Sequence, residues 1–217
     1  MIFNKVHKLI HYIKSYDVYK SLKWYFRLKL PRTVSFHIYP NSIVDISKKS
    51  KVNIEGGEFA INASWFKVRS RRYTSELRIC MGGELIVKGN FYLYQGASIH
   101  VAEGAKLVLG KNSFLNTNST LNCFKYIQIG ENCAISDNVS IHDSDSHIFN
   151  GEIDDVFKPV VIKNHVWIGK NVTILKGVTI GEGVVIGAGS IVTKDIPDHC
   201  LAVGNPARVI KENIKWE

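Results

Sequence analysis

Several features are scarce in this 217-residue chain, and each scarcity narrows what it can be. No stretch approaches the run of about 20 apolar residues that a bilayer-spanning helix needs. Behind Met1-Ile2-Phe3-Asn4-Lys5 there is no apolar core followed by a small-residue cleavage site, as a secretory signal would have. These absences predict a soluble, cytoplasmic protein. Cysteine is sparse: Cys80, Cys123, Cys133 and Cys200 show neither CxxC pairing nor metal-finger spacing, which predicts reduced, structural thiols inside a cell. Acidic residues are scarce at one end only. Residues 1–80 carry 16 Lys and Arg against 5 Asp and Glu, whereas residues 81–217 carry 12 against 14, so the formal charge of +9 resides in the first third. A uniformly basic nucleic-acid binder would not divide this way; the split indicates a basic appendage beside a nearly neutral domain, and no nucleic-acid partner is expected.

What is present is enough apolar material for a core, 45% of residues, arranged in a repeat. Aliphatic residues recur every sixth position at Ile162, Ile168, Ile174, Ile180, Ile186 and Val192. The same spacing links Ile129, Ile135 and Ile141, then Leu109, Leu115 and Leu121, then Val87, Leu93 and Ile99. A period of six is neither helical nor a plain strand alternation. It pairs a short extended piece with a turn, for which Gly181, Gly183 and Gly187 are suited. Three such units make one coil of a triangular prism, the leading aliphatics stack inward from coil to coil, and pairing between coils satisfies the backbone. The pattern predicts a parallel β-helix. Ile162 follows Ile141 at a spacing of 21, three more than a full coil of 18, so a polar loop over 143–159 is expected to protrude. Loops on rigid scaffolds are where chemistry is commonly placed, and this one holds His147, with His142 just before it.

Three motifs then carry a specific likeness: His165-Val-Trp-Ile-Gly-Lys-Asn-Val-Thr-Ile-Leu-Lys-Gly-Val-Thr-Ile-Gly, Ile186-Gly-Ala-Gly-Ser-Ile-Val-Thr-Lys-Asp-Ile-Pro, and Gly204-Asn-Pro-Ala-Arg-Val-Ile-Lys. The chain resembles the hexapeptide-repeat acyltransferase family, in the branch of galactoside, maltose and polysaccharide O-acetyltransferases. The likeness is dense over 105–211, weaker over 41–104 and absent over 1–40. It implies an all-β, left-handed parallel β-helix over 41–205 with a C-terminal tail over 206–217. It also implies a homotrimer with sites between subunits, and acetyl-CoA as donor without a metal. The left hand comes from the resemblance alone, because parallel crossovers are otherwise right-handed.

Acetyl transfer to a hydroxyl needs a base for the hydroxyl proton and donors for the thioester oxyanion. The resemblance places the base at His147, ahead of Lys158-Pro159-Val160, with His142 as the rival. Asp143 and Asp145 are the nearest acids. Side chains two apart on an extended segment share a face, so one of them is a candidate to orient the imidazole or touch the sugar; solvating the loop is the competing role. The resemblance also maps CoA contacts onto Lys170, Ala188, Thr193, Lys194, Arg208 and Lys211. Lys170 would act through its backbone N–H, Ala188 and Thr193 would line the pantetheine arm, and the last three cations suit phosphates. Trp167 is expected to pack beside the site. Asn116 matches a sugar-contacting position of the galactoside enzymes, where an amide both donates and accepts; turn stacking is its alternative role. The acidic residue those enzymes use slightly downstream falls here near Cys123-Phe124, which points away from their simple-sugar specificity.

Two other functions compete with O-acetylation: N-acetylation of an amino sugar, and a zinc lyase of the β-helix carbonic anhydrase kind. The lyase rests on the five-residue spacing of His142 and His147 but lacks a third histidine in register, since His100 is 42 residues before His142, not a multiple of 18.

Residues 1–40 form a basic segment. Ile2, Val6, Leu9, Ile13 and Tyr16 recur at helical spacing among Lys5, Lys8, Lys14, Lys20, Lys23 and Arg27, up to Pro31. This amphipathic helix is expected to cap the open end of the prism, or to lie on anionic lipid with Trp24, Tyr25 and Phe26 at the interface.

Overall fold

The computed structural model describes residues 16–65, 73–148 and 156–217. Ile2, Val6, Leu9 and Ile13 of the predicted helix lie outside these residues. Among those described, helix α1 (Val18–Arg27) precedes short strands that assemble three sheets of nine, seven and six strands. The chain visits the sheets in rotation, so each strand pairs in parallel with its counterpart one coil away. The exception is the last strand, Ala207–Lys211, which runs antiparallel to Leu201–Gly204 in the first sheet.

The six-residue repeat accounts for this architecture directly. Leu93, Leu115, Ile135, Ile168 and Ile186 are register partners along the first sheet. Ile99, Leu121, Ile141, Ile174 and Val192 align along the second, and Val87, Leu109, Ile129, Ile162 and Ile180 along the third. All of these side chains are fully buried, forming three columns that meet in the prism interior. The changes of spacing between blocks fall at the second edge, joining the second sheet to the third. There four-residue strands flank the turn (Ser98–Val101 and Lys106–Leu109, then Thr120–Cys123 and Tyr126–Ile129), and the loop separates Ser140–His142 from Val160–Ile162. The early coils are filled by Phe36, Phe59 and Phe91 as well as aliphatics, with ring centroids 5.5 and 6.4 Å apart.

Corners are as regular as strands. At the first edge, joining the first sheet to the second, the turns place Gly96, Asn118, Asn138, Asn171 and Gly189 at positive φ, between 57° and 75°. Only glycine and, among side-chain-bearing residues, chiefly asparagine take this region at low cost, which explains their recurrence there. Each of these N–H groups from Asn118 onward donates to a carbonyl of the preceding coil in the chain. At the third edge, joining the third sheet back to the first, Gly130 lets two coils approach: a Cβ there would meet the Lys163 carbonyl at 2.5 Å.

At the open end, Asp17 caps α1 by accepting from the Lys20 N–H at 2.9 Å. Trp24, only 6% exposed, and the buried Leu30 close over Val34 and Phe36. The aromatic trio expected to face outward divides by burial. Trp24 is core, Tyr25 is half-buried with its hydroxyl donating to the Pro31 carbonyl, and Phe26 is 70% exposed. The first strand, Val34–Ile38, pairs with Gly57–Ala63, so the prism begins inside the segment 1–40 read as helical, and strand Ala207–Lys211 draws the expected tail into the first sheet. No helix among the described residues is long and apolar enough to cross a membrane.

Candidate active site

The ten residues singled out in the sequence occupy two edges of the prism and its final hairpin. Asp143, Asp145 and His147 lie at the second edge, joining the second sheet to the third, where the loop leaves strand Ser140–His142 and returns before Val160–Ile162. Its base is a short two-stranded tie, with Ser144 bridging Phe157 and the Lys158 N–H donating to the Asp143 carbonyl at 3.0 Å. Asp143 is fully buried, and its carboxylate accepts from the backbone N–H groups of Phe124, Lys125 and Tyr126 at 2.7 to 2.8 Å. Contrary to the acceptor contact expected of it, this carboxylate faces inward and pins the loop to the previous coil. Asp145 points the other way, its carboxylate 2.6 Å from Lys176 on the following coil. The loop is thus tied at both sides by charge-assisted bonds.

His147 is exposed beyond these ties, with Nδ1 3.2 Å from the Asp145 carbonyl oxygen. A carbonyl only accepts, so this contact places the proton on Nδ1 and leaves Nε2 as the basic nitrogen. The rival His142 stays in its strand as the register partner of Asn122, with no hydrogen bond to orient its ring among the described residues.

Asn116, Lys170 and Ala188 occupy the first edge, in turns stacked along the prism axis. The Asn116 amide oxygen accepts from the Thr117 N–H at 2.9 Å and from the Trp65 indole N–H at 3.1 Å. The Lys170 ammonium is 2.9 Å from Asp137 one coil away, while its backbone N–H donates to no group among the described residues. A Cβ on Gly169 would come 2.7 Å from the Ala188 nitrogen, so the missing side chain keeps this stretch of edge as bare backbone. Thr193 and Lys194 are exposed at the second edge, after strand Ile191–Val192. Arg208 and Lys211 project from the last strand, opposite Val203 and Leu201. Lys211 borders a cleft of about 510 Å³ with Trp167, Val185, Leu201 and Trp216. Trp167 is 44% exposed and its indole N–H points to the Ser136 hydroxyl at 3.4 Å, beside the first edge. Trp216 stacks on His165 with centroids 4.2 Å apart. Among the described residues no three His, Cys, Asp or Glu side chains converge as a metal site would require.

Residues 159–194 match the family described as bacterial transferase hexapeptide (six repeats). Over 54% of its length the chain is 41% identical to the polysialic acid O-acetyltransferase of Escherichia coli O1:K1 / APEC, covering 40% of that protein. Over 63% it is 39% identical to the galactoside O-acetyltransferase of Escherichia coli K12, covering 65% of it. The chain thus spans less than two thirds of either relative's length. The crystal structure of the polySia-specific acetyltransferase NeuO superposes with a TM-score of 0.57 at 30% identity, covering 86% of this chain and 90% of that one. The chain belongs to the hexapeptide-repeat transferase family. Its fold is accordingly the left-handed parallel β-helix, as the motifs implied.

Two contacts at these edges escaped the sequence. Trp65, which reaches Asn116 from 51 positions away, sits outside the six-residue register and gives no periodic signal. The Asp145–Lys176 pair crosses from the loop to a later coil, and only the register of the coils brings it together.

Proposed function

We propose that the protein transfers an acetyl group from acetyl-CoA to a hydroxyl of a sugar, surface polysaccharide or lipid-linked glycan precursor. The observation that carries the reading is the exposed His147 with its Nδ1 held by the Asp145 carbonyl, on a braced loop of a family member whose relatives are named O-acetyltransferases. Nε2 takes the proton of the acceptor hydroxyl as its oxygen attacks the thioester carbonyl. A tetrahedral oxyanion forms, with the unengaged Lys170 N–H as a donor for it. As the carbonyl re-forms, the C–S bond breaks and the imidazolium returns its proton to the departing thiolate, giving CoA and the acetyl ester.

The residues fit the donor. The bare backbone at Gly169 and the small methyl of Ala188 leave room for the amides of a pantetheine arm, and Lys194, Arg208 and Lys211 are exposed cations suited to phosphates. His147 and the Lys170–Ala188 stretch lie on different edges of one prism. They close into one site when the second edge of one subunit faces the first edge of the next, as in a homotrimer with threefold heterologous contacts. We include in the reading a peripheral contact with anionic lipid through α1. Tyr19, Leu22 and Phe26 form an exposed stripe on one helical face, beside Lys23.

The test is CoA release from acetyl-CoA with glycan acceptors, followed by mass spectrometry of the product. The wild-type protein is expected to add 42 Da, one acetyl in place of one hydrogen (about 42 by composition), to an acceptor, and His147→Ala is expected not to. Full transfer by His147→Ala would remove the base from the proposal.

A further inference from the structure

Trp65 closes the long strand Gly57–Ala63 and lies 59% exposed at the first edge. Its indole stacks on Tyr94 with centroids 4.4 Å apart and planes 11° from parallel, and Phe114 stands edge-on to both at 5.6 and 5.8 Å. Large aromatics normally bury most of their surface, so a rigidly backed indole with one open face is a surface prepared for a partner. The floor beneath it is fixed. Tyr94 is nearly buried, with its phenol pushed up to about 12 by desolvation, and neighbouring Tyr92 donates to Glu58 at 3.0 Å. The partner's polarity is indicated by Asn116. Its oxygen is occupied by Thr117 and by Trp65 itself, which leaves its NH₂ as the group free to donate outward. An apolar ring face beside a directed amide donor matches a pyranose, which has C–H bonds on its face and oxygens on its rim.

We propose that Trp65 is a stacking platform for a pyranose ring of the acceptor glycan, set beside the Asn116 amide whose sugar contact the family likeness already implies. The inference rests on the acetyl-transfer reading and adds to it the subsite that holds the acceptor. Asn116 and Lys170 are two coils apart on the same edge, about 10 Å at the usual strand spacing. The stacked ring is therefore placed toward the N-terminal coils, with the thioester toward the C-terminal ones.

The experiment is saturation-transfer NMR on the full chain, with aromatic protons irradiated and lactose, maltotetraose and oligosialic acid as probes. The wild-type protein is expected to pass saturation to ring C–H protons of at least one probe. Trp65→Ala should reduce it by about 5–10-fold, the scale of one aromatic contact, while Trp65→Tyr retains most of it. Acetyl-CoA affinity by calorimetry and assembled mass by light scattering should be the same for all three proteins. Transfer to none of the probes, or transfer that survives in Trp65→Ala, overturns the platform. A fall in assembled mass on Trp65→Ala also overturns it, by showing that the indole packs against another subunit. Failure of the acetyl-transfer reading is seen separately, as a wild-type protein that does not bind acetyl-CoA.

Discussion

The imidazole of His147 is oriented by the main chain of Asp145, while the side chain of Asp145 serves a different partner, Lys176. A base held by a carbonyl rather than a carboxylate keeps its tautomer when the acid is neutralised. Asp145→Asn is expected to lower kcat by less than about tenfold, through a looser loop, whereas His147→Ala removes general-base catalysis and lowers it by about 10²–10⁴-fold. Steady-state CoA release measures both. A loss in Asp145→Asn equal to that in His147→Ala would show that the carboxylate itself orients the ring.

Asp143 is the structural partner of that arrangement. In Asp143→Asn the amide nitrogen turns a donor toward backbone donors, leaving at least one buried N–H of Phe124, Lys125 or Tyr126 unsatisfied. The expected cost is about 2–3 kcal/mol, or a fall in Tm of roughly 4–12 °C. Thermal unfolding by circular dichroism checks this, and an unchanged Tm would mean that the three amides find other acceptors.

Acid stability has a specific contributor in Glu58. The hydrogen bond from His37 at 2.8 Å, with a second from Tyr92, holds its carboxyl below the usual carboxylate range. A carboxyl depressed in the folded state adds stability above its unfolded pKa, and that stability is lost as pH falls through the folded value. Glu58→Gln should therefore show a shallower loss of stability than wild type below about pH 4.5. Urea midpoints at pH 3 and pH 7 give the comparison; equal acid sensitivity of the two proteins would contradict it.

The cysteines divide by burial. Desolvation pushes the Cys123 thiol up to about 12 and the Cys133 thiol to about 11, and Cys200 is buried as well, while Cys80 is exposed. Thiolates are the reactive form, so native-state alkylation followed by peptide mass mapping should label Cys80 first and the others only on unfolding. Early labelling of Cys123 would show that the second-sheet column opens locally.

The core was legible because a strict six-residue period has only one way to bury its aliphatics, and each column residue from Val87 to Val192 lies where that period puts it. The early coils were harder to read. Their longer strands carry two inward residues each, as Phe59 and Ile61 do, which dilutes the period and hid the start of the prism at Val34. The loop departs from the shared face expected of its acids because Asp143 and Asp145 do not continue one extended strand. The strand ends at His142 and Ser144 enters the bridge to Phe157, so the chain changes course between the two acids and one carboxylate faces in and the other out. Trp24 could not be separated from Phe26 by helical spacing alone, since which face of α1 meets the core depends on how it docks.

The central claim is that His147 of one subunit serves the donor groove of the next, and subunit mixing tests it most directly. His147→Ala lacks the base, and Ala188→Trp fills the groove; each purified alone should be inactive while remaining assembled. Co-assembled in equal amounts, they place an intact His147 opposite an intact groove in about a quarter of the clefts of a cyclic assembly, so about a quarter of wild-type CoA release should return. No recovery above either variant alone would contradict a site shared between subunits.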